Sequence, residues 1–499
     1  MIQWRTLVHD WVESTPVLRR ILYTRHRWML LLASLFILLL FSLSGGWVIA
    51  EFGPLPALAL IAALTYAIWA LFDLNIAYLG VFGVLTLLPF GSLPFEIGFT
   101  PTFLDLALGG LFAVWLLPYA LGEREELIAT PVGAPILAFV LLAVVAFIAG
   151  LAHGALTSYL IRHFAEVLLS IATFFLVVNT VRDVGRVRLL LRWLIMGASL
   201  AATLGIILYV LPEETTIRLL SALSRFGYPT GTNVVRYIRD DPTLMKRATS
   251  TSVDPNVLGS LLNVAIAIAV PQLLSERPIF PKWLLLVLLG VMGLGLMLTV
   301  SRSAMVGVGV AVLAISLIRY RQLLPWFGLA LLLVLVLPWT QGLVEHFIEG
   351  VQLEDLSTKM RLGEYKDTLT LIQRYPFLGV GFAGAPDIDI YVAVASLYLL
   401  VAAQMGLVGL LAFLIILGFV LWRFWRYHRQ VRDMPGLEAA FYGLHAAIIG
   451  GIVSGAFDHF FFSLDFHHSV TLFWLLIGLA TATTELVIGR RVRTPGTED

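Results

Sequence analysis

The residues in this sequence best suited to chemistry are arginines at places where a lipid bilayer would penalise charge. Arg302 stands in Leu298-Thr-Val-Ser-Arg-Ser-Ala304, at the head of a run with no further charge until Arg319. A charge there is expensive unless it is paired or faces a polar cavity. A guanidinium so placed could grip phosphate oxygens two at a time, or it could snorkel or close a structural ion pair. Arg361, in Met360-Arg-Leu-Gly-Glu-Tyr-Lys366, offers the same choice between anion ligand and solvated charge. So do Lys246 and Arg247, shortly before Ser252-Val-Asp-Pro-Asn-Val-Leu-Gly259. Asp254 or Asn256 can cap the helix that starts there. Arg162 and Glu166 have the i, i+4 spacing of an intrahelical pair, with His163 between them. Asp105, in Pro101-Thr-Phe-Leu-Asp-Leu106, can cap a helix or pair with an arginine. His459, His467 and His468, with Asp458 and Asp465, could gather as a metal site or a proton relay, although their spacing matches no metal motif. The phosphate-binding glycine loop, the dinucleotide glycine motif, His-Glu-x-x-His and Gly-x-Ser-x-Gly are all missing.

The elements that must position these residues are membrane helices. The chain has 499 residues, 59% hydrophobic and 13% charged, with a mean hydropathy of +0.91. A soluble domain is about 45–50% apolar and about 25% charged. Net charge is +1, so no basic excess points to nucleic acid, and the absence of cysteine excludes disulfides and thiolate chemistry. The apolar runs are continuous rather than alternating, which predicts helices long enough to span a bilayer. The expected fold is all-α, a polytopic bundle of 12–14 transmembrane helices. Fourteen candidates are 29–50, 55–72, 74–90, 103–120, 132–152, 158–180, 187–211, 256–276, 282–300, 302–318, 323–340, 392–422, 437–457 and 466–489. With the N-terminus inside, 21 of the 33 Lys and Arg fall on inner links, which supports an even count and two cytoplasmic termini.

Residues 1–28 are amphipathic and basic and lack a signal-peptide cleavage site, so they read as a retained cytoplasmic segment, interfacial or solvated. Residues 29–489 form the membrane domain and 490–499 a cytoplasmic tail. The two long outer, periplasmic loops are 212–255 and 341–391. Helices are expected in them at Thr215–Phe226 and Lys359–Tyr375, the second ended by Pro376 and followed by a glycine-rich turn.

Taken together, several segments resemble the O-antigen ligase and O-antigen polymerase superfamily of bacterial membrane glycosyltransferases. They are Phe103-Leu-Asp105; Arg247 followed by Asp254-Pro-Asn256; Ser301-Arg302-Ser-Ala304; Arg361 followed by Tyr375-Pro-Phe-Leu-Gly-Val-Gly381; and Tyr398-Leu399 followed by Gln404-Met-Gly-Leu-Val-Gly409. The resemblance implies an inner-membrane enzyme that displaces undecaprenyl diphosphate from a lipid-linked glycan. The acceptor is a sugar hydroxyl on a glycan or glycolipid. It implies an inverting transfer among membrane lipids, with no metal or other cofactor, in which Arg302 and Arg361 clamp the diphosphate and Arg247 supports them. Asn256, Tyr398, Asp105 and Arg162 take supporting places. The family pattern also has a histidine before Tyr-Leu and an acidic residue after it, where this chain has Ala395-Ser396 and Gln404. His459 or Asp458, on the neighbouring outer turn, could supply a substitute base. The alternatives are a transporter or flippase, for which Pro271, Gly290, Gly293 and Gly295 would be helix breaks, and a non-catalytic binder of lipid-linked glycan.

Overall fold

The computed structural model describes residues 64–94, 98–122, 126–238, 241–337, 340–342, 356–384 and 394–493, with scattered positions at 32–61 and 344–352. It divides into two units, Met1–Phe72 and Asp73–Asp499. In the first, residues 64–70 are helical. The expected segment 1–28 lies wholly outside the described residues, and the expected spans 29–50 and 55–72 lie largely outside them.

The second unit contains α1 (Leu74–Leu87), α2 (Phe103–Ala120), α3 (Gly133–Gly150), α4 (Ser158–Thr180), α5 (Val184–Val210), α6 (Glu213–Ser221) and α7 (Pro255–Ala269). It continues with α8 (Lys282–Thr299), α9 (Arg302–Ile318), α10 (Leu324–Val336), α11 (Leu356–Arg374), α12 (Leu397–Tyr427), α13 (Glu438–Ser454) and α14 (His467–Arg493). Eight of these stretches are long and apolar enough to cross a membrane, and four more are apolar but shorter. The chain is thus an all-α, multi-pass membrane protein. Each of these twelve matches one of the expected spans from residue 74 onward. Polar α6 and α11 lie in the two long loops, close to the expected positions. A two-residue ribbon pairs Arg236 with Arg247 and Tyr237 with Lys246.

The core is built on α7, in which every residue except Asn256 is buried. Contact with α9 and α13 is close because Gly307 and Gly450 leave room for the Asn263 side chain, where a Cβ on either glycine would collide. Small residues at such crossings let helix backbones approach where no hydrophobic effect drives association. At one end of the bundle lie the two long loops and the N-termini of α2, α4, α7, α9, α12 and α14. At the opposite end basic residues tie the links together. Arg188 donates to the carbonyls of Arg277 (2.5 Å) and Pro278 (2.9 Å), and Arg319 and Arg423 pair with Glu438 (2.6 Å) and Glu485 (2.7 Å).

Among the described residues, a long helix is interrupted internally at Gly406, where α12 breaks with φ 68° and ψ −177°. Sequence reasoning places possible breaks at Pro271 and in Gly290–Gly295. At Pro271 the α-helix does give way, α7 ending at Ala269 and passing into a 3-10 turn over Val270–Leu274, while α8 runs unbroken through its glycines. The break in α12 frees backbone groups, and the stretch after α11 fills them. Leu407 N–H donates to the Pro376 carbonyl (2.7 Å), and Val380 and Gly381 N–H donate to the Ala403 (2.8 Å) and Gln404 (3.0 Å) carbonyls. Non-helical backbone at membrane depth persists only where protein satisfies it in this way. A Cβ on Gly406 would overlap the Phe377 carbonyl, and one on Gly379 the Ala403 carbonyl. The motifs Tyr375–Gly381 and Gln404–Gly409 are the two halves of one lock, and the lock fixes α11 against α12.

Gly406→Ala is expected to lower stability by about 2–5 kcal/mol, from a disfavoured φ and a backbone clash together. Gly418→Ala, on the same helix with open space around it, is expected to stay within about 0.5 kcal/mol. Thermal melting of the detergent-solubilised protein distinguishes the two, and equal melting temperatures would contradict the lock.

Candidate active site

Arg302 is placed by a two-residue reversal between α8 and α9. Val300 takes the left-handed conformation (φ 52°) as the C-cap of α8. The Thr299 hydroxyl donates to the Leu296 carbonyl (2.6 Å) and accepts from Ser301 N–H (3.2 Å). Arg302 then opens α9, at the end where helix dipoles favour anions. Its Nη2 donates to the Thr358 hydroxyl on α11 (3.4 Å).

Arg247 comes from the ribbon in the first loop. Ala248 N–H donates to the Leu298 carbonyl (2.8 Å) and Arg247 Nε to the Thr299 carbonyl (2.8 Å), so this strand caps α8. The Arg247 Nη2 donates to Asn256 Oδ1 (2.7 Å). Lys246 is used elsewhere, on the Leu208 carbonyl at the end of α5 (2.8 Å). Ser250 (φ 54°) and Val253 (φ 59°) are left-handed, and Asp254 caps α7 by accepting from Asn256 N–H (2.7 Å). Together with Val300 these are the non-glycine residues with positive φ among the described residues, and they flank Arg247 and Arg302. Strain of this kind gathers at functional sites.

Asp458 joins α9 to α11. It is buried, accepts the Ser303 hydroxyl on Oδ2, and has Oδ1 3.6 Å from Arg361 Nη2. Arg361 lies one turn beyond Thr358 on α11. Burial pushes the Asp458 carboxyl up to about 6, while Arg361, the Ser303 hydrogen bond and Arg247 pull the other way. Burial also holds the neighbouring His459 below the ordinary histidine value, and its Nδ1 has no hydrogen-bond partner. Tyr398 donates to the Ile452 carbonyl (2.7 Å) and so ties α12 to α13. Gln404 lies under the lock with its Oε1 buried and unpartnered.

Sequence reasoning overlooks Ser303, Thr358 and Glu364. Glu364 accepts from Ala395 N–H (3.2 Å), Tyr365 donates to the Ala395 carbonyl (3.0 Å), and burial raises the Glu364 carboxyl. The i, i+3 and i, i+6 spacing of Thr358 and Glu364 about Arg361 is the signal that could have marked them.

Asp105 and Arg162 belong to a second cluster at the same end. Asp105 forms a capping box with Thr102 and lies 3.7 Å from Arg162 Nη2. Arg162 Nε donates to Glu166 Oε1 (2.8 Å), and His163 Nδ1 lies 3.0 Å from Glu166 Oε2. The histidines and acids grouped by sequence are therefore divided. Asp458 joins the arginines, Asp465 takes the Tyr159 hydroxyl, His467 faces Asp105 at 3.5 Å, and His468 packs edge-on against Phe90.

A family profile described as O-antigen ligase matches residues 285–414. The match holds Arg302, Arg361 and both halves of the glycine lock; Arg247, Asn256 and Asp458 lie outside it. No curated protein matches the chain.

The raised Asp458 value gives a stability test. The native state holds this proton more tightly than the unfolded chain, whose carboxyl titrates near pH 4, so ionisation destabilises the fold between about pH 4 and pH 6. Asp458→Asn mimics the neutral form. Its stability advantage over the wild type is expected to grow across that window, by at most about 3 kcal/mol, and to level off above it. Melting temperatures measured from pH 4 to pH 8 check this, and a constant difference would contradict it.

Proposed function

Starting from the O-antigen ligase domain that this membrane chain carries at residues 285–414, we propose that the protein transfers a glycan from undecaprenyl diphosphate to a sugar hydroxyl on the outer face of the bacterial inner membrane. One observation supports this reading above others. Arginines from three distant segments gather around the joint of α8, α9 and α11: Arg361 pairs with the buried Asp458, Arg302 bonds to Thr358 one turn from Arg361 on the same helix, and Arg247 sits on the last carbonyl of α8.

In this reading Arg302 and Arg361 hold the donor diphosphate, and Asn256 fixes Arg247 as a further positive charge. The acceptor oxygen bonds to the anomeric carbon as the carbon–oxygen bond to diphosphate breaks, which inverts that carbon. The bonding pair leaves on the diphosphate, and the hydroxyl proton passes to Asp458. Charge growing on the leaving group is met by fixed guanidiniums and by the N-terminus of α9. Before the donor binds, Asp458 and the Thr358 hydroxyl hold the two clamps in place, which lowers the reorganisation needed. Asp458 replaces the base that the family pattern places before Tyr398. It is favoured over His459 because Ser303 and Arg361 both orient it. The break in α12, a feature transporters also use, is closed here by residues 376–381 and needs no transport role to explain it.

Arg302→Ala and Arg361→Ala are each expected to slow transfer from a purified lipid-diphosphate glycan donor by roughly 10²–10³. Lys366→Ala, an exposed cation on the same helix, is expected to be near wild type. Full activity of Arg302→Ala at normal protein level would refute the clamp. Because Asp458 must be ionised, the rate is expected to fall about tenfold per unit below about pH 6 and to be flat above it. Asp458→Asn is expected to be slow throughout, without that acid limb. An unchanged limb in this variant would move the base elsewhere.

A further inference from the structure

We propose that Asp105, Glu166 and His467 form a binding site for a divalent transition-metal ion of the Zn2+ or Mn2+ kind, separate from the arginine cluster. A carboxylate oxygen from each acid and a ring nitrogen of His467 all lie within 4.8 Å of one another. Metal bonds to such ligands are about 2.0–2.2 Å long, so donors around one ion sit roughly 3–4 Å apart. Closing the present gap asks only for small side-chain movements. One imidazole with two carboxylates is a donor set that borderline metals accept.

An independent observation points to a ligand. His467 is 6% exposed, and neither ring nitrogen makes a hydrogen bond, although Nδ1 lies 3.5 Å from Asp105 Oδ1. A buried polar atom left in this way is costly. Nδ1 and Oδ1 face each other there without a hydrogen bond, and a cation between them would satisfy both. Arg162 does not fill this place. It engages Glu166 through Oε1 and approaches Asp105 on Oδ2, which leaves Asp105 Oδ1 and, shared with His163, Glu166 Oε2. With neutral imidazoles the two carboxylates and one guanidinium carry a net charge of −1, so a divalent ion is electrostatically welcome. His163, 3.0 Å from Glu166 Oε2 and 3.1 Å from the Leu464 carbonyl, steadies the acid.

The three ligands sit on the first turns of α2 and α14 and on the second or third turn of α4. An ion here would pin those helices together and hold one end of the segment 455–466, whose other end carries Asp458. This inference does not rest on the transferase reading, and its readout is metal content.

The full-length protein in detergent would be dialysed against ZnCl2 or MnCl2, freed of excess ion and measured by mass spectrometry of the elements. About one equivalent of one of these metals is expected in the wild type, falling at least about fivefold in His467→Gln and in Asp105→Asn. Adding the metal should raise the wild-type melting temperature by about 5 °C or more, with a chelator reversing the shift. Absence of retained metal in folded wild type would overturn the proposal and leave an ion-pair cluster only. Undiminished metal in both variants, shown to be folded by size-exclusion elution, would overturn it as well.

Discussion

Inside a bilayer no water is available to bond a stray peptide group, and this constraint organises the functional end of the molecule. Where α12 breaks, its open carbonyls and N–H groups must be met by protein. The segment 376–381 meets them with its own backbone, which is possible only because Gly379, Gly381 and Gly406 all take positive φ. The same segment continues α11. The position of Arg361 above the bundle is therefore a consequence of a hydrogen-bonding requirement at Gly406, tens of residues away in sequence.

From that anchor the charges follow in order. Arg361 meets Asp458, Asp458 takes the Ser303 hydroxyl, and Ser303 lies in the first turn of the helix that Arg302 opens. On the other side Arg247 is seated on the last carbonyls of α8 and on Asn256, the one residue of α7 that escapes burial. Arg247 and Arg302 are thereby aimed by helix termini, where unsatisfied backbone groups already need partners, and Arg361 by its pairing with Asp458.

Much of this was legible in the sequence. Continuous apolar runs located twelve helices because hydrocarbon thickness admits a narrow range of lengths. The capping role of Asp254 and the Arg162–Glu166 pair are local and follow from spacing alone. Asp458 could be marked as a candidate base on a turn but not told apart from His459, since its burial and its bond to Ser303 depend on packing across 155 positions of chain. The break at Gly406 was missed, while the glycines of α8, which do not break their helix, drew attention. A glycine inside an apolar run reads alike whether it packs, bends or breaks the helix, and only the stretch crossing it decides. The histidines near the last turn read as one group by proximity in sequence. The fold sends His467 to face Asp105 and leaves Asp458 with the arginines, because helix α14 begins between them.

Val300, Ser250 and Val253 carry a consequence of their own. Three L-residues held in left-handed backbone around the arginines store conformational energy that relaxed loops would not. The surrounding helices must over-determine this region to keep it, so the densely packed α7 and the strained loops beside it are parts of a single mechanical device. Selection for heat resistance would find its easiest gains by loosening these few peptides, and the guanidiniums would then lose their common aim.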